Sequence, residues 1–266
     1  MLPLRDSQRA ERRPVVNWLL IALNLLVFLY VAKFVRSEDA EREFAERFGL
    51  VPARLLAGIR HPSLLFDAPW PWLREIVLPL FTAMFLHGGL AHLLGNLWFL
   101  FVFGDNVEGR LGHARYLAFY FVCGLAAWAV HVTTIPAHGI VGETWWGQRI
   151  FGANPALDVP AIGASGAIAG VLGAYAVLFK QSRVTTFLPP FFLFEVPARL
   201  FLGIWFVIQF FSARGESRFG GLGTGVAYWA HVGGFVTGMA IALIAPKPRS
   251  SDPFSTRVAR PSWRIP

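Results

Sequence analysis

Apolar residues run through this chain in blocks too long for the core of a water-soluble domain. The first, Val15 to Phe34, is about 20 residues, enough at 1.5 Å per residue to cross ~30 Å of hydrocarbon. It exceeds a typical signal-peptide apolar region and is followed by no convincing cleavage site, so it reads as a retained span. The pattern predicts five more spans: about 90–104 (the end of an apolar stretch that begins at Leu80), 114–136, 163–179, 196–212 and 225–245, the last closed by Pro246. Between the first two lies a long loop, 35–79. There Glu38 to Arg60 alternates charged and apolar residues at helical spacing, and Pro69-Trp70-Pro71-Trp72 supplies interfacial aromatics. This loop is expected to lie on the membrane. Polar connections fall at 137–162, at 180–195 with Pro189-Pro190, and at 213–224, which is Gly-rich.

Composition agrees with the pattern. The 266 residues are 55% hydrophobic and 15% charged, with a mean hydropathy of +0.50, against roughly 25% charged residues in soluble domains. The net charge of +8 could suggest a nucleic-acid partner, but its placement argues against that reading. Residues 1–14 carry +2 and residues 246–266 carry +4, so most of the charge flanks apolar sequence, where basic residues meet anionic lipid. An even number of spans puts both termini on one side, and two basic tails make that side cytoplasmic. The inner connections add Arg110, Arg115, Lys180, Arg183 and Arg199; the long outer loop holds six arginines, accompanied by seven acids. The expected organisation is a cytoplasmic tail (1–14), a six-span domain (15–246) and a second tail (247–266), in a bacterial inner (plasma) membrane. An excess of arginine over lysine fits a GC-rich bacterial source. The single cysteine, Cys123, excludes an intrachain disulfide.

The candidate chemistry starts at Gly163-Ala164-Ser165-Gly166-Ala167-Ile168-Ala169-Gly170. Small residues let backbones approach, so Ser165 should open a helix packed tightly on a neighbour. Its hydroxyl is either satisfied by its own backbone or is a nucleophile with a base on another segment. Spans 2, 4 and 6 run in the same direction, so their first residues share the outer half of the bilayer. That puts Ser165 at a depth similar to His92 and Asn96 on span 2 and His231 on span 6, the last roughly 9 Å in. His92 and Asn96, four apart, share one helix face. Each polar residue alone could be interhelical glue, but four on three spans at one depth point to a polar cavity. A serine there needs a histidine base, and an oxyanion would need donors such as His92, Asn96 and the Ser165 N–H. No carboxylate falls at matching depth: Glu143 and Asp158 lie in a loop, Asp105 and Glu108 at the opposite face. The residues thus favour a Ser–His dyad over a triad. His87, at the loop boundary, reads as a structural hydrogen-bonding residue, while His61, His113, His131 and His138 show no partner pattern. There is no His-Glu-x-x-His run, and neither a metal nor a cofactor is expected.

Four motifs in order carry a family resemblance: His87-Gly88-Gly89-Leu90-Ala91-His92 with Asn96; Gly104-Asp105-Asn106-Val107-Glu108-Gly109-Arg110-Leu111-Gly112; Gly163-Ala164-Ser165-Gly166; and Ala230-His231-Val232-Gly233-Gly234 with Gly238. Together they resemble the rhomboid intramembrane serine proteases, over nearly the whole length from Val15 to Ala245. The resemblance implies an all-α membrane protein, a six-transmembrane-helix bundle with a long membrane-associated first outer loop. It implies Ser165 as nucleophile, His231 as general base, and His92 and Asn96 at the oxyanion site. The implied partners are transmembrane protein substrates and the lipid bilayer, with substrate entry beside the first loop and span 5. Gly234 to Gly238 forms a GxxxG run that would press span 6 onto span 4, and Glu108 and Arg110 match a loop motif of structural role. Two positions depart from the family pattern. Leu78-Pro79 stands where many members have a Trp-Arg pair that anchors the first loop. Ala169 stands where some have an aromatic stacked on the base, which leaves Tyr228 or Trp229 to orient His231. The alternative class is a non-proteolytic rhomboid-like protein that binds transmembrane clients, or a small transporter. Retention of both Ser165 and His231 argues against the first, and the lack of paired broken helices against the second.

Overall fold

In hydrocarbon a backbone must pair its own N–H and C=O groups, so long apolar runs close into helices. The computed structural model describes residues 2–8, 10, 12–136, 138–143, 149–188, 190, 192–218 and 226–245. The apolar runs form α1 (Val15–Phe34), α4 (Leu90–Leu111), α5 (His113–Thr134), α6 (Ser165–Leu178), α7 (Ala198–Arg218) and α8 (Tyr228–Ile244). Of these, α1, α4 and α5 are long and apolar enough to cross a membrane, while α6 and α8 are shorter apolar helices. Leu19, Leu26, Phe211 and Ile244 point outward and stay exposed, as side chains facing lipid do. With 14 residues α6 covers only about 21 Å. It begins part-way through the bundle, and Ser165 is its first residue.

The close packing of α6 on α8 organises the core. A Cβ added at Gly234 would lie 1.9 Å from the Gly166 carbonyl oxygen, and one at Gly238 1.9 Å from that of Gly170. Only glycine allows this approach, and the GxxxG expectation holds. Around this pair sit Phe103 and Val107 of α4, Tyr116 and Tyr120 of α5, and Leu202 of α7, all fully buried.

At the end of the bundle away from Ser165, Glu108 is fully buried near the end of α4. It accepts the backbone N–H groups of Val16 (2.9 Å) and Asn17 (2.6 Å), and His113 donates to it. A carboxylate thus caps the N-terminus of α1, where the first N–H groups have no helical partner. The Asn17 side chain donates to the Leu100 carbonyl at 3.0 Å and accepts from Tyr116 at 2.8 Å. The motif around Glu108 belongs to a helix end, not to a loop.

The fold departs from the all-helical expectation in two places. Residues of the N-terminal tail form β1 (Leu2–Asp6), which pairs antiparallel with β4 (Arg183–Leu188), itself in a hairpin with β5 (Phe192–Pro197). The order of this sheet is β1-β4-β5. Val184 and Thr186 bury one face of β4, the period-2 alternation of a half-buried strand. The Asp6 carboxylate accepts from Asn106 Nδ2 at 2.9 Å and from the Tyr175 hydroxyl; burial pushes its pKa up. A second hairpin, β2 (His138–Glu143) with β3 (Arg149–Ala153), lies in the 137–162 connection. The basic residues 247–266 and positions 219–225 of the Gly-rich loop lie outside the described residues.

The amphipathic run Glu38 to Arg60 folds as two helices, α2 (Glu38–Phe48) and α3 (Pro52–Arg60). Ser37 caps α2 by accepting the Ala40 N–H, and Pro52 starts α3 where a missing N–H costs nothing. Between them Leu50 exchanges both backbone hydrogen bonds with Ala161, at 3.0 and 2.8 Å. The Thr82 hydroxyl donates to the Phe48 carbonyl at 2.6 Å. The loop with Leu78-Pro79 is therefore tied down by its backbone, to the strand-like segment that leads into Ser165.

Candidate active site

Three helix starts meet at one end of the bundle, because α4, α6 and α8 run in the same direction. Ser165 is the first residue of α6. The chain reaches it through Gly163, at φ +132°, whose N–H donates to the Ala83 carbonyl at 2.8 Å. A Cβ at Gly163 would stand 2.9 Å from the His92 ring and 3.6 Å from Ser165 Oγ. Both the backbone angle and the space between the two side chains require glycine here. As the first helical residue, Ser165 leaves its N–H without an intrahelical acceptor.

His231 sits in the first turn of α8, which starts at Tyr228. It is shallower in its helix than the sequence reading placed it, because the helix opens three residues later than the apolar run. Its Nε2 accepts from Ser165 Oγ at 2.8 Å, and its Nδ1 lies 2.7 Å from Gln209 Oε1. His231 is 8% exposed and Gln209 9%. Tyr228, expected to orient the imidazole, approaches it edge-on, with centroids 6.2 Å apart and planes at 88°. Trp205 of α7 lies nearer, at 5.9 Å and 35°; the position left open by Ala169 is served from a different helix.

On α4, Asn96 is buried and its Nδ2 donates to His87 Nε2 at 2.9 Å. An acceptor at Nε2 puts the single His87 proton on Nδ1. Burial, aided by the neighbouring His92, lowers the His87 pKa to about 4, so the ring stays neutral and keeps accepting. His87, whose ring centroid is 5.1 Å from that of His92, thus fixes one amide hydrogen of Asn96 and leaves the other to the cavity. The expected structural role of His87 holds. His113 does have a partner, Glu108.

Ser165, His231, His92 and Asn96 all line one cavity of about 930 Å³. No Asp, Glu, Lys or Arg is among its described lining residues, and the described residues contain no His/Cys/Asp/Glu group placed to hold a metal ion. The structure brings together every residue singled out for the site. The sequence reading passed over Gln209 and Trp205. Gln209 carried a signal, as a lone amide in the apolar run Phe206-Val207-Ile208-Gln209-Phe210-Phe211, where a polar side chain is expensive.

Helices packed through glycines, with a half-buried serine hydrogen-bonded to a buried histidine beside a shared cavity, define a helical membrane protein with a polar site in its interior. A Rhomboid domain family model matches residues 74–248, and the chain belongs to the rhomboid family. It is 34% identical over 107 residues to the "Putative rhomboid protease YdcA" of Bacillus subtilis, covering 40% of this chain and 44% of the relative. It is 27% identical over 171 residues to the "Rhomboid protease GluP" of Bacillus subtilis, covering 64% and 26%. It is 26% identical over 155 residues to "Rhomboid protein 1, mitochondrial" of Saccharomyces cerevisiae, covering 58% and 38%. The chain thus spans less than half the length of each of these relatives.

Proposed function

We propose that this chain is an intramembrane serine endopeptidase that cleaves transmembrane protein substrates near the outer membrane face, with Ser165 as nucleophile and His231 as general base. The observation that carries the reading is the 2.8 Å hydrogen bond from Ser165 Oγ to His231 Nε2. Membership of the rhomboid family, with relatives named as proteases, supports it. In this scheme Ser165 Oγ attacks the scissile carbonyl as its proton passes to Nε2. The oxyanion is met by His92, the free Asn96 amide hydrogen and the Ser165 N–H. The imidazolium then protonates the leaving amine, and water entering through the cavity hydrolyses the acyl-enzyme by the same base. A substrate helix would have to unwind locally to present its peptide bond. The accompanying topology is six spans, both termini cytoplasmic, in a bacterial inner membrane.

Fluorophosphonate labelling of the detergent-purified protein tests this. Labelling is expected for the parent and lost in Ser165→Ala and His231→Ala. A folded parent that takes no label would sink the protease reading and favour a client-binding protein. Label that survives Ser165→Ala would place the nucleophile elsewhere.

A further inference from the structure

His231 has two ring nitrogens, and a working base needs them in one arrangement. To take the serine proton, Nε2 must be bare, so the single proton of the neutral ring must sit on Nδ1. That proton needs an acceptor. In many Ser–His sites it is a carboxylate, but no Asp or Glu is among the described residues that line this cavity. The acceptor here is an amide: Gln209 Oε1, 2.7 Å from Nδ1. Gln209 is buried in the apolar body of α7. Trp205, four residues earlier and so on the same helix face, lies beside the imidazole ring. One face of α7 therefore meets both the edge and the flank of the base, which itself belongs to α8.

We propose that Gln209 is the positioning residue of the base: by accepting from Nδ1–H it fixes the His231 tautomer that leaves Nε2 bare, and it stabilises the imidazolium through a neutral dipole. This rests on the protease reading for its catalytic consequence, though not for the tautomer itself. A neutral acceptor keeps a full charge out of the apolar surroundings, where an ionised carboxylate would be costly unless paired. It also leaves the base less basic than a carboxylate partner would. The other titratable groups lining the cavity with His231 are His92 of α4, His131 of α5 and Tyr228 of α8 itself; from α6 the ring meets Ser165, and from α7 Trp205 and Gln209.

The experiment compares the parent, Gln209→Leu and Gln209→Glu in detergent. Fluorophosphonate labelling is resolved into maximal rate and probe affinity across pH, and the His231 tautomer is read from ¹⁵N shifts of the ring nitrogens. Gln209→Leu should lower the maximal rate by about 10- to 100-fold, leave probe affinity unchanged and lose the Nδ1–H tautomer. Gln209→Glu should restore much of the rate and move the acid limb of the pH profile upward, because a carboxylate favours the imidazolium. A folded Gln209→Leu with parental rate, acid limb and tautomer overturns the proposal. Should Gln209→Leu not fold, an unmoved acid limb in Gln209→Glu overturns it. Should the parent itself take no label, the protease reading fails, and the tautomer alone decides: Nδ1–H in the parent and lost in Gln209→Leu upholds the positioning role, while an unchanged tautomer ends it.

Discussion

Substitution of Gly234 by alanine tests how the dyad is held. Gly234 lies one turn beyond His231 on α8, and the atom its new Cβ would meet is the carbonyl oxygen of Gly166, the residue after Ser165. The separation would be 1.9 Å, whereas ordinary contact begins near 3.4 Å. Both parties are helix backbone, so no side chain can swing away, and the helices must part by about 1.5 Å at this level. The Ser165–His231 hydrogen bond, 2.8 Å long and one turn away, would stretch past roughly 4 Å, beyond hydrogen-bond reach. A misplacement of about 1 Å can cost ~100-fold in rate, so labelling of Gly234→Ala should fall by at least that factor. Overpacking should destabilise by about 1–3 kcal/mol and lower the melting temperature in detergent. The control is Gly203→Ala, on α7, where a Cβ meets nothing within 4 Å; it should label and melt like the parent. A folded Gly234→Ala that labels at the parental rate would refute the reasoning, since the helix crossing would then not set the dyad distance.

Glu108→Ala strips the acceptor from two α1 N–H groups and should cost about 1–3 kcal/mol; thermal unfolding should show the loss, with labelling per folded molecule unchanged. The His87 pKa of about 4 lies below its unfolded value of 6.5, so the unfolded chain takes up that proton first and stability falls as pH drops from about 6.5 to about 4. A Gln at position 87 has nothing to protonate, and melting curves of His87→Gln should show a shallower acid slope than the parent's over that window. Deletion of residues 2–6 removes β1 and should lower the melting temperature and speed amide exchange in the β4–β5 hairpin, with exchange in the first turns of α6, far from the Asp6–Tyr175 bond, unaffected.

The parts of this molecule written in local pattern were legible in its sequence. Lipid requires long apolar runs, so the helices those runs form announce themselves, three of them long enough to cross a membrane, and helices of equal direction place Ser165, His92, Asn96 and His231 about one cavity by counting. Gly234 and Gly238 declared their contact through spacing alone. What escaped was specified at long range. β1 pairs with a strand some 180 residues later, and the tail segment Leu2-Pro3-Leu4-Arg5-Asp6 is too short and too charged to advertise it. Gln209 was overlooked for another reason. Its neighbours give it no motif, and its meaning lies in an imidazole on the next helix. The orienting aromatic followed the same logic: Ala169 pointed to the missing ring, yet the space is filled by Trp205 from α7, since packing asks only that a ring be there.

These long-range elements bear on one helix. At its first residues α7 is tied to the rest of the fold: the Ala198 N–H donates to the Ser182 carbonyl at 2.8 Å, Arg199 donates to the Ala176 carbonyl at the end of α6, and the preceding β5 is held through β4 to β1. Further along, Val207, Ile208 and Phe211 stay exposed, Gln209 bonds to His231, and Phe210 meets Trp229 of α8 edge-on. A displacement of α7 relative to α8 would strain the Gln209–His231 bond directly, whereas Ser165 and His231 are both carried by the glycine-packed α6–α8 pair. The proposed nucleophile and base belong to the glycine-packed pair, while the group proposed to select the base's tautomer belongs to a third helix. Loosening the sheet at β1 should thus reach the dyad through Gln209, lowering the labelling rate while leaving the Ser165-bearing helix intact.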